Sequence, residues 1–458
     1  MDTKKLRQKI LDLAIRGKLI PQDPNDEPAS VLLERIRAEK ERLIAEGKIK
    51  RPKKSKASSA ESHYPNFEPP FTIPDSWEWI KFEEIFESVN SAPYQIKQSE
   101  IKDQGAFIVV SQSSNRIEGY SDDQSKLFYN KGCIVFGDHT RNVKLLKQDF
   151  IVGADGVKLI IPQINLDFAY YLIRHRSLII DNRGYSRHFQ YLITQPFAIP
   201  PEAEQLKIAK TLKRYFDLIF TIDQAANHIA ELVTKTKSKI LDLAMQGKLV
   251  PQDPTDEPAA DMLRRINPKA KIITDNPHYP QLPSGWCIAA IREVFEVNPK
   301  NKVDEDTEAG FVPMTSICDG YNNSFIYTPL KWGEIKNGFT HFADGDIAVA
   351  KISPCLENRK SMILKNLPNG IGSGSTELLV FRGKVIYPEY GLLFFKSDDF
   401  IKQCVGTFNG VVGQQRVGKN IVEEIPIPIP PYKAQMRIVN EVRRIFETLD
   451  QINSNLAN

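Results

Sequence analysis

The sequence predicts an α+β protein: two β-rich units separated by two long antiparallel, coiled-coil-like helices, in a circularly permuted tandem repeat with pseudo-two-fold symmetry. Three observations predict it. First, KILDLAIRGKLIPQDPNDEPA at Lys9–Ala29 returns as KILDLAMQGKLVPQDPTDEPA at Lys239–Ala259; carried on to Ile36 and Ile266, about 20 of 28 aligned positions are identical. Second, Ile199-Pro200-Pro201 with Gln205, Ile208, Arg214 and Phe216 matches Ile429-Pro430-Pro431 with Gln435, Ile438, Arg444 and Phe446 at the same offset of 230. Third, short β-branched and aromatic segments give way twice to long heptad-like runs, a change from strand to helix periodicity. Self-similarity at one offset decides the architecture before any local reading does. Twice that offset nearly equals the 458 residues, so the repeat is expected to be cut inside one of its helices, with adjacent termini.

The 41% apolar content permits real cores. A net charge of +4 excludes a simple polycation, so any nucleic-acid surface must come from local clustering. Cys133, Cys287, Cys318, Cys355 and Cys404 have no CxxC or Cys/His spacing for zinc and read as reduced thiols. No apolar run approaches a membrane span, and the first residues do not open a signal peptide, so a soluble, cytoplasmic protein is expected.

Taken in order, residues 2–16 read as a helix with Leu6, Ile10 and Leu13 on one stripe and Gly17 as its stop. A Pro/Asp turn at 21–28 precedes a charged helix to about Glu46. The basic linker 48–56 reads as a solvated charge run, with non-specific phosphate contact as the alternative. The first β-rich unit has strands near 107–110, 133–136 and 157–161 and a helix at 166–177. From Glu202 to Met245, Leu212, Tyr215, Ile219, Ile222, Ala226, Ile229, Val233, Thr236, Ile240 and Leu243 recur at threes and fours, predicting one helix roughly 65 Å long. A second β-rich unit follows to Ile429, its Trp286 and Val294-Phe295 echoing Trp77 and Ile85-Phe86; Val442, Ile445, Leu449, Ile452 and Leu456 then resume the heptads. The expected divisions are 1–61, helices and basic linker; 62–199, first β-rich unit; 200–275, central helical region; 276–429, second β-rich unit; and 430–458, distal helix.

The IPP-x3-Q helix starts, the LDLA-x2-GKL-x-PQDP-x-DEPA helix ends and the two unlike units between them resemble the specificity subunit of type I restriction–modification systems, over essentially the whole chain. The resemblance implies that each unit is a target recognition domain reading one half of a split site in double-stranded DNA. It implies helices acting as a ruler and as docking surface for two modification (methyltransferase) subunits, joined by two restriction subunits where the system also cleaves. S-adenosylmethionine and ATP with Mg²⁺ would sit on those partners, no cofactor on this chain. The second copy departs in one place: Tyr432-Lys433-Ala434 precedes Gln435 where Glu202-Ala203-Glu204 precedes Gln205, so contacts of that last carboxylate would be asymmetric.

Physics supports a two-part reader, since separated half-sites need modules at a fixed distance, commonly about one DNA turn. Candidate base readers are the polar loops ahead of each long helix: Arg183, Tyr185, Ser186, Arg187, His188 and Gln190 in the first unit, Gln414, Gln415, Arg416 and Lys419 in the second. Arg suits guanine and Gln suits adenine, while Lys more often takes phosphate. His139, Arg141, Lys351 and Asn358 are weaker candidates, and an ordinary surface loop is the plain alternative for any single one. No catalytic residue or metal site is expected. Asn276-Pro-His-Tyr279 differs by one letter from an amino-methyltransferase signature, but His278-Tyr-Pro recurs as His63-Tyr-Pro, a repeated domain entrance. Gly370-Ile-Gly-Ser-Gly374 lacks a strand–loop–helix setting for a cofactor and reads as a turn between strands. A protein-binding coiled-coil scaffold without DNA specificity is the rival expectation.

Overall fold

The structure, a computed structural model, describes residues 2–47, 69–153, 155–180, 187–274, 276–279, 281–408, 410 and 415–457. The basic segment 48–56 and the His63-Tyr64-Pro65 entrance therefore lie outside the described residues. The chain divides into units Met1–Ala225 and Ala226–Asn458, the division falling inside the helix Glu202–Met245. That helix has the bounds expected from the heptad run, 44 residues in all.

In the first unit a four-stranded sheet runs in the order Phe86–Val89, Val157–Pro162, Cys133–Gly137, Val143–Leu146. Cys133–Gly137 is buried at all five positions, as a central strand covered on both faces must be. A three-stranded sheet has Phe107–Val110 in the middle, antiparallel to Gly119–Ser121 and parallel to Ile151–Val152. Glu78–Ile80 pairs with Phe197–Ile199 and closes the unit where the long helix begins. The second unit repeats this plan without comparable sequence identity. Its four-stranded sheet runs Phe295–Val297, Leu378–Gly383, Ile347–Ala350, Ser361–Ile363. Its second sheet again contains one parallel pair, Glu308–Val312 with Ile371–Gly374, and gains a fourth strand, Thr340–Ala343. Pro426–Ile429 closes on Cys287–Ala290.

The Gly370–Gly374 run corrects one expectation. Only its start turns; Ile371–Gly374 is itself a strand. Glycine is required there because a Cβ on Gly372 would stand 2.3 Å from the carbonyl oxygen of Gly310, and one on Gly374 2.4 Å from that of Val312.

The helices pack within each unit as antiparallel partners. In the first, Thr3–Ile15 and the start of the long helix bury Leu11, Ala14, Ile15, Ile208, Ala209 and Leu212 in one core with the helix Leu166–Ile179. Arg7 bonds Asp223 at 2.6 Å and Gln22 donates to Glu204 at 2.9 Å, so the order along the two segments is reversed. In the second, Leu241 and Ala244 share a core with Ile438, Val439 and Val442 of the helix Tyr432–Ala457, and Lys237–Asp450 and Arg437–Asp256 give the same reversed order. The buried stripe is narrower than the predicted seam. Leu212, Ile219 and Val233 are buried, but Tyr215 and Ile222 are 40% and 45% exposed. A helix packed on a globular unit follows the 3.6-residue period, and strict heptad counting drifts off that face.

Candidate nucleic-acid interface

Each closing strand is pinned to its unit by the repeated glutamine. Gln205 is fully buried; its Nε2 donates to the carbonyl of Pro200 at 3.0 Å and its Oε1 accepts from the N–H of Asn165 at 3.0 Å. Asn165 in turn caps the helix Leu166–Ile179 through the N–H of Phe168. Gln435 does the same, donating to Pro430 at 3.1 Å and accepting from Tyr387 at 2.7 Å. One residue earlier the expected asymmetry is realised. Buried Glu204 accepts from Nε1 of Trp77 and from Gln22, both at 2.9 Å, whereas Ala434 leaves Trp286 to donate directly to Oε1 of Gln252 at 2.8 Å. Burial pushes the Glu204 carboxyl up, partly offset by the Trp77 and Gln22 hydrogen bonds.

The loops ahead of these closing strands carry the candidate readers, and both are clamped the same way. Beyond the central strand Cys133–Gly137, Asp138 donates its N–H to Gly156 at 2.7 Å and accepts at its carbonyl from the N–H of His188 at 2.9 Å. Beyond the central strand Ile347–Ala350, Lys351 donates its N–H to Glu377 at 2.9 Å and accepts from the N–H of Val417 at 3.0 Å. Asp138, Gly156 and His188 thus correspond to Lys351, Glu377 and Val417, and Arg187 corresponds to Arg416. A plain residue offset pairs Arg187 with Val417 instead, because the units differ in length.

In the first unit the clamp is completed by a carboxylate. Asp138 is 3% exposed; its Oδ1 accepts from the N–H of Phe189 at 2.8 Å, and Lys158 lies 3.7 Å from its Oδ2. His188, expected among the exposed readers, is instead fully buried with Nδ1 2.8 Å from the Asp138 carbonyl, so it anchors the loop rather than presenting a surface. Arg187 and Gln190 on either side of it are exposed. His139 donates its N–H to Oε1 of Gln112 at 3.2 Å within the turn. Arg141, at φ +60°, holds the carbonyl of Ile180 through Nη1 at 2.6 Å. Arg183, Tyr185 and Ser186 lie outside the described residues.

In the second unit the carboxylate sits elsewhere. Arg416 is exposed, and its Nε donates to both carboxylate oxygens of Glu377 at 2.9 Å, which pushes the guanidinium pKa up. Gln415 accepts from the N–H of Ser353 at 2.9 Å, and Lys419 reaches the carbonyl of Val297 at 3.3 Å and Glu423 at 3.5 Å. Asn358 is exposed and accepts at its carbonyl from Gly320 at 2.7 Å. Lys351, Gln415 and Arg416 are therefore brought together on one pair of segments, while Gln414 lies outside the described residues. Sequence reasoning missed Gln112 and Glu377. No local pattern marks them, since their partners lie 27 and 39 residues away.

Among the described residues no group of three or more His, Cys, Asp or Glu could hold a metal ion, and no helix is long and apolar enough to cross a membrane.

Comparison with known proteins places the chain. It is 40% identical over 238 residues to the specificity subunit of type I restriction enzyme EcoAI of Escherichia coli, and 40% identical over 239 residues to that of EcoEI from the same species. Each match covers 48% of this chain and 40% of the relative, so the chain spans about two fifths of the length of the curated relatives it matches. A solved chain from a study of complex assembly and conformational transition in the type I R-M system superposes with a TM-score of 0.55 at 14% identity, covering 85% of this chain and 94% of that one; it shows the fold. The model of the type I restriction modification DNA specificity domain matches twice, at residues 74–231 and 283–458, and by that match over most of its length the chain belongs to that family.

Proposed function

We propose that this chain is the DNA-recognition subunit of a type I restriction–modification complex, reading an asymmetric two-part site in double-stranded DNA. The observation that carries it is the pair of equivalent clamps. One backbone arrangement, built twice, presents two unlike sets of side chains, Arg187 and Gln190 in one unit and Gln415, Arg416 and Lys419 in the other. Arg and Gln supply bidentate donors and acceptors that match base edges in the major groove, and Lys supplies a point charge for phosphate. Two matched frames with unlike readers make two unlike half-sites. The chain itself performs no chemistry in this reading. It directs two methyltransferase subunits, which hold S-adenosylmethionine, and restriction subunits with ATP and Mg²⁺ where the system cleaves, all in the cytoplasm. The scaffold alternative is not favoured, because both family matches are to a DNA specificity domain.

Selection of the assembled complex against a randomised DNA library tests the proposal. Two fixed sequence elements flanking a gap of constant length are expected, with affinity falling steeply as salt rises. A single contiguous element, or methylation by the purified chain alone, would defeat it.

A further inference from the structure

We infer that Arg187 and Arg416 are the paired guanine readers, one per half-site, and that Glu377 orients only the second of them. The inference rests on the DNA-recognition reading and deepens it. Both arginines stand immediately before the residue whose N–H is fixed to the tip of the central strand, His188 on Asp138 and Val417 on Lys351. Both anchoring residues are buried, His188 fully and Val417 at 3% exposure, so the preceding side chain is carried outward on a fixed backbone at the same point of each frame. Rigid backbone support is what a bidentate contact to guanine O6 and N7 needs.

The units then differ in where a carboxylate reinforces the clamp. In the first, Asp138 holds the loop's backbone through the N–H of Phe189, and the residue corresponding to Glu377 is Gly156, at φ +76°. A side chain at Gly156 would meet Cδ2 of His139 at 2.8 Å and the amide of Gln112 at 3.0 Å, so an orienting acid has no room there. In the second, Lys351 replaces the backbone-holding acid and Glu377 grips Nε of Arg416 with both oxygens. A guanidinium held at Nε has its plane and direction set before any DNA arrives, which reduces the ordering cost of binding.

The test uses the full chain in its assembled complex, with the randomised two-part library and with methylation mapping. Arg187→Ala should relax one guanine position in one half-site, and Arg416→Ala one in the other, each lowering discrimination roughly ten- to hundred-fold. Arg416→Lys should keep the salt dependence but lose most of that discrimination. Glu377→Gln should weaken discrimination at the Arg416 position alone, less than Arg416→Ala does, with unchanged thermal stability of the chain. Loss spread over both half-sites, a uniform loss of affinity with preferences intact, or wild-type preferences in either alanine variant overturns the assignment. A wild-type complex selecting no two-part site overturns the broader reading instead, so the two failures are distinguishable.

Discussion

Asp12 and Asp242 occupy the same place in the repeated helix, yet their carboxyls are shifted in opposite directions. Burial alone would raise the Asp12 carboxyl, but hydrogen bonds from Arg16 at 2.9 Å and His175 at 3.3 Å outweigh it and hold the group below its ordinary value. In the second copy Gln246 stands where Arg16 does; burial and the neighbouring Asp398 outweigh Lys239 and Lys402 and push Asp242 up. The repeat keeps the residue, and the unit packed against it sets the chemistry. The helix entrances teach the same lesson. Gln205 and Gln435 make identical bonds, while Glu204 and Ala434 force Trp77 and Trp286 onto different acceptors.

The comparison can be broken most sharply at the shared element. Gln205→Ala and Gln435→Ala each strand a buried carbonyl and a half-buried N–H, so each should destabilise its own unit by about 2–4 kcal/mol. Limited proteolysis with site mapping would check it; equal loosening of both units by a single substitution would contradict a role for each glutamine within its own unit.

Next in size is a pH effect at His175 in the first unit. His175 is buried and its pKa is pushed down to about 4, chiefly by burial, against an ordinary 6.5. Its neutral form therefore contributes stability that is fully present above pH 6.5 and lost as the pH falls toward 4. The loss should reach about 3 kcal/mol. Hydrogen exchange should show the core around Leu166–Ile179 opening first in this window, and His175→Gln should remove the dependence. An unchanged acid dependence of the first unit in His175→Gln would count against it.

Smaller is the tryptophan contrast. Trp77→Phe leaves an oxygen of buried Glu204 short of a donor and should cost about 2 kcal/mol. Trp286→Phe frees only the exposed amide of Gln252 and should cost below about 1 kcal/mol. Glu204 has a raised folded pKa, so its contribution is present below the ordinary glutamate range and lost as the pH rises through the folded value. Trp77→Phe should steepen that loss and Glu204→Gln should flatten it, which melting temperatures across pH would reveal.

The smallest effect is one of sign. Asp12→Asn removes a partly exposed ion pair and should cost roughly 0.5 kcal/mol, whereas Asp242→Asn removes a like-charge contact and should be neutral or stabilising by a similar amount. Melts of the two variants with the same sign would remove the electrostatic distinction.

Much of the frame was legible from local signals. The bounds of Glu202–Met245 and Ala29–Ala45 follow from apolar period, Pro placement and Gly stops, all properties of neighbouring residues. The recurrence of Gln205 as Gln435 marked a shared role, though not the two hydrogen bonds that define it. The candidate loops were legible only as polar stretches, and His188 was misplaced among the exposed residues because nothing adjacent to it signals burial.

By itself, then, the sequence determined that there are two copies of one frame, where the helices run and which positions repeat, since periodicity and repetition are carried by the chain's own order. Only the tertiary structure decided that Arg187 corresponds to Arg416, that Asp138 and Glu377 reinforce different parts of the same clamp, and that the Asp12 carboxyl is shifted down and the Asp242 carboxyl up. Those outcomes depend on groups brought together from tens of residues apart, and the electrostatic field at a side chain is set by what packs against it, not by what precedes it.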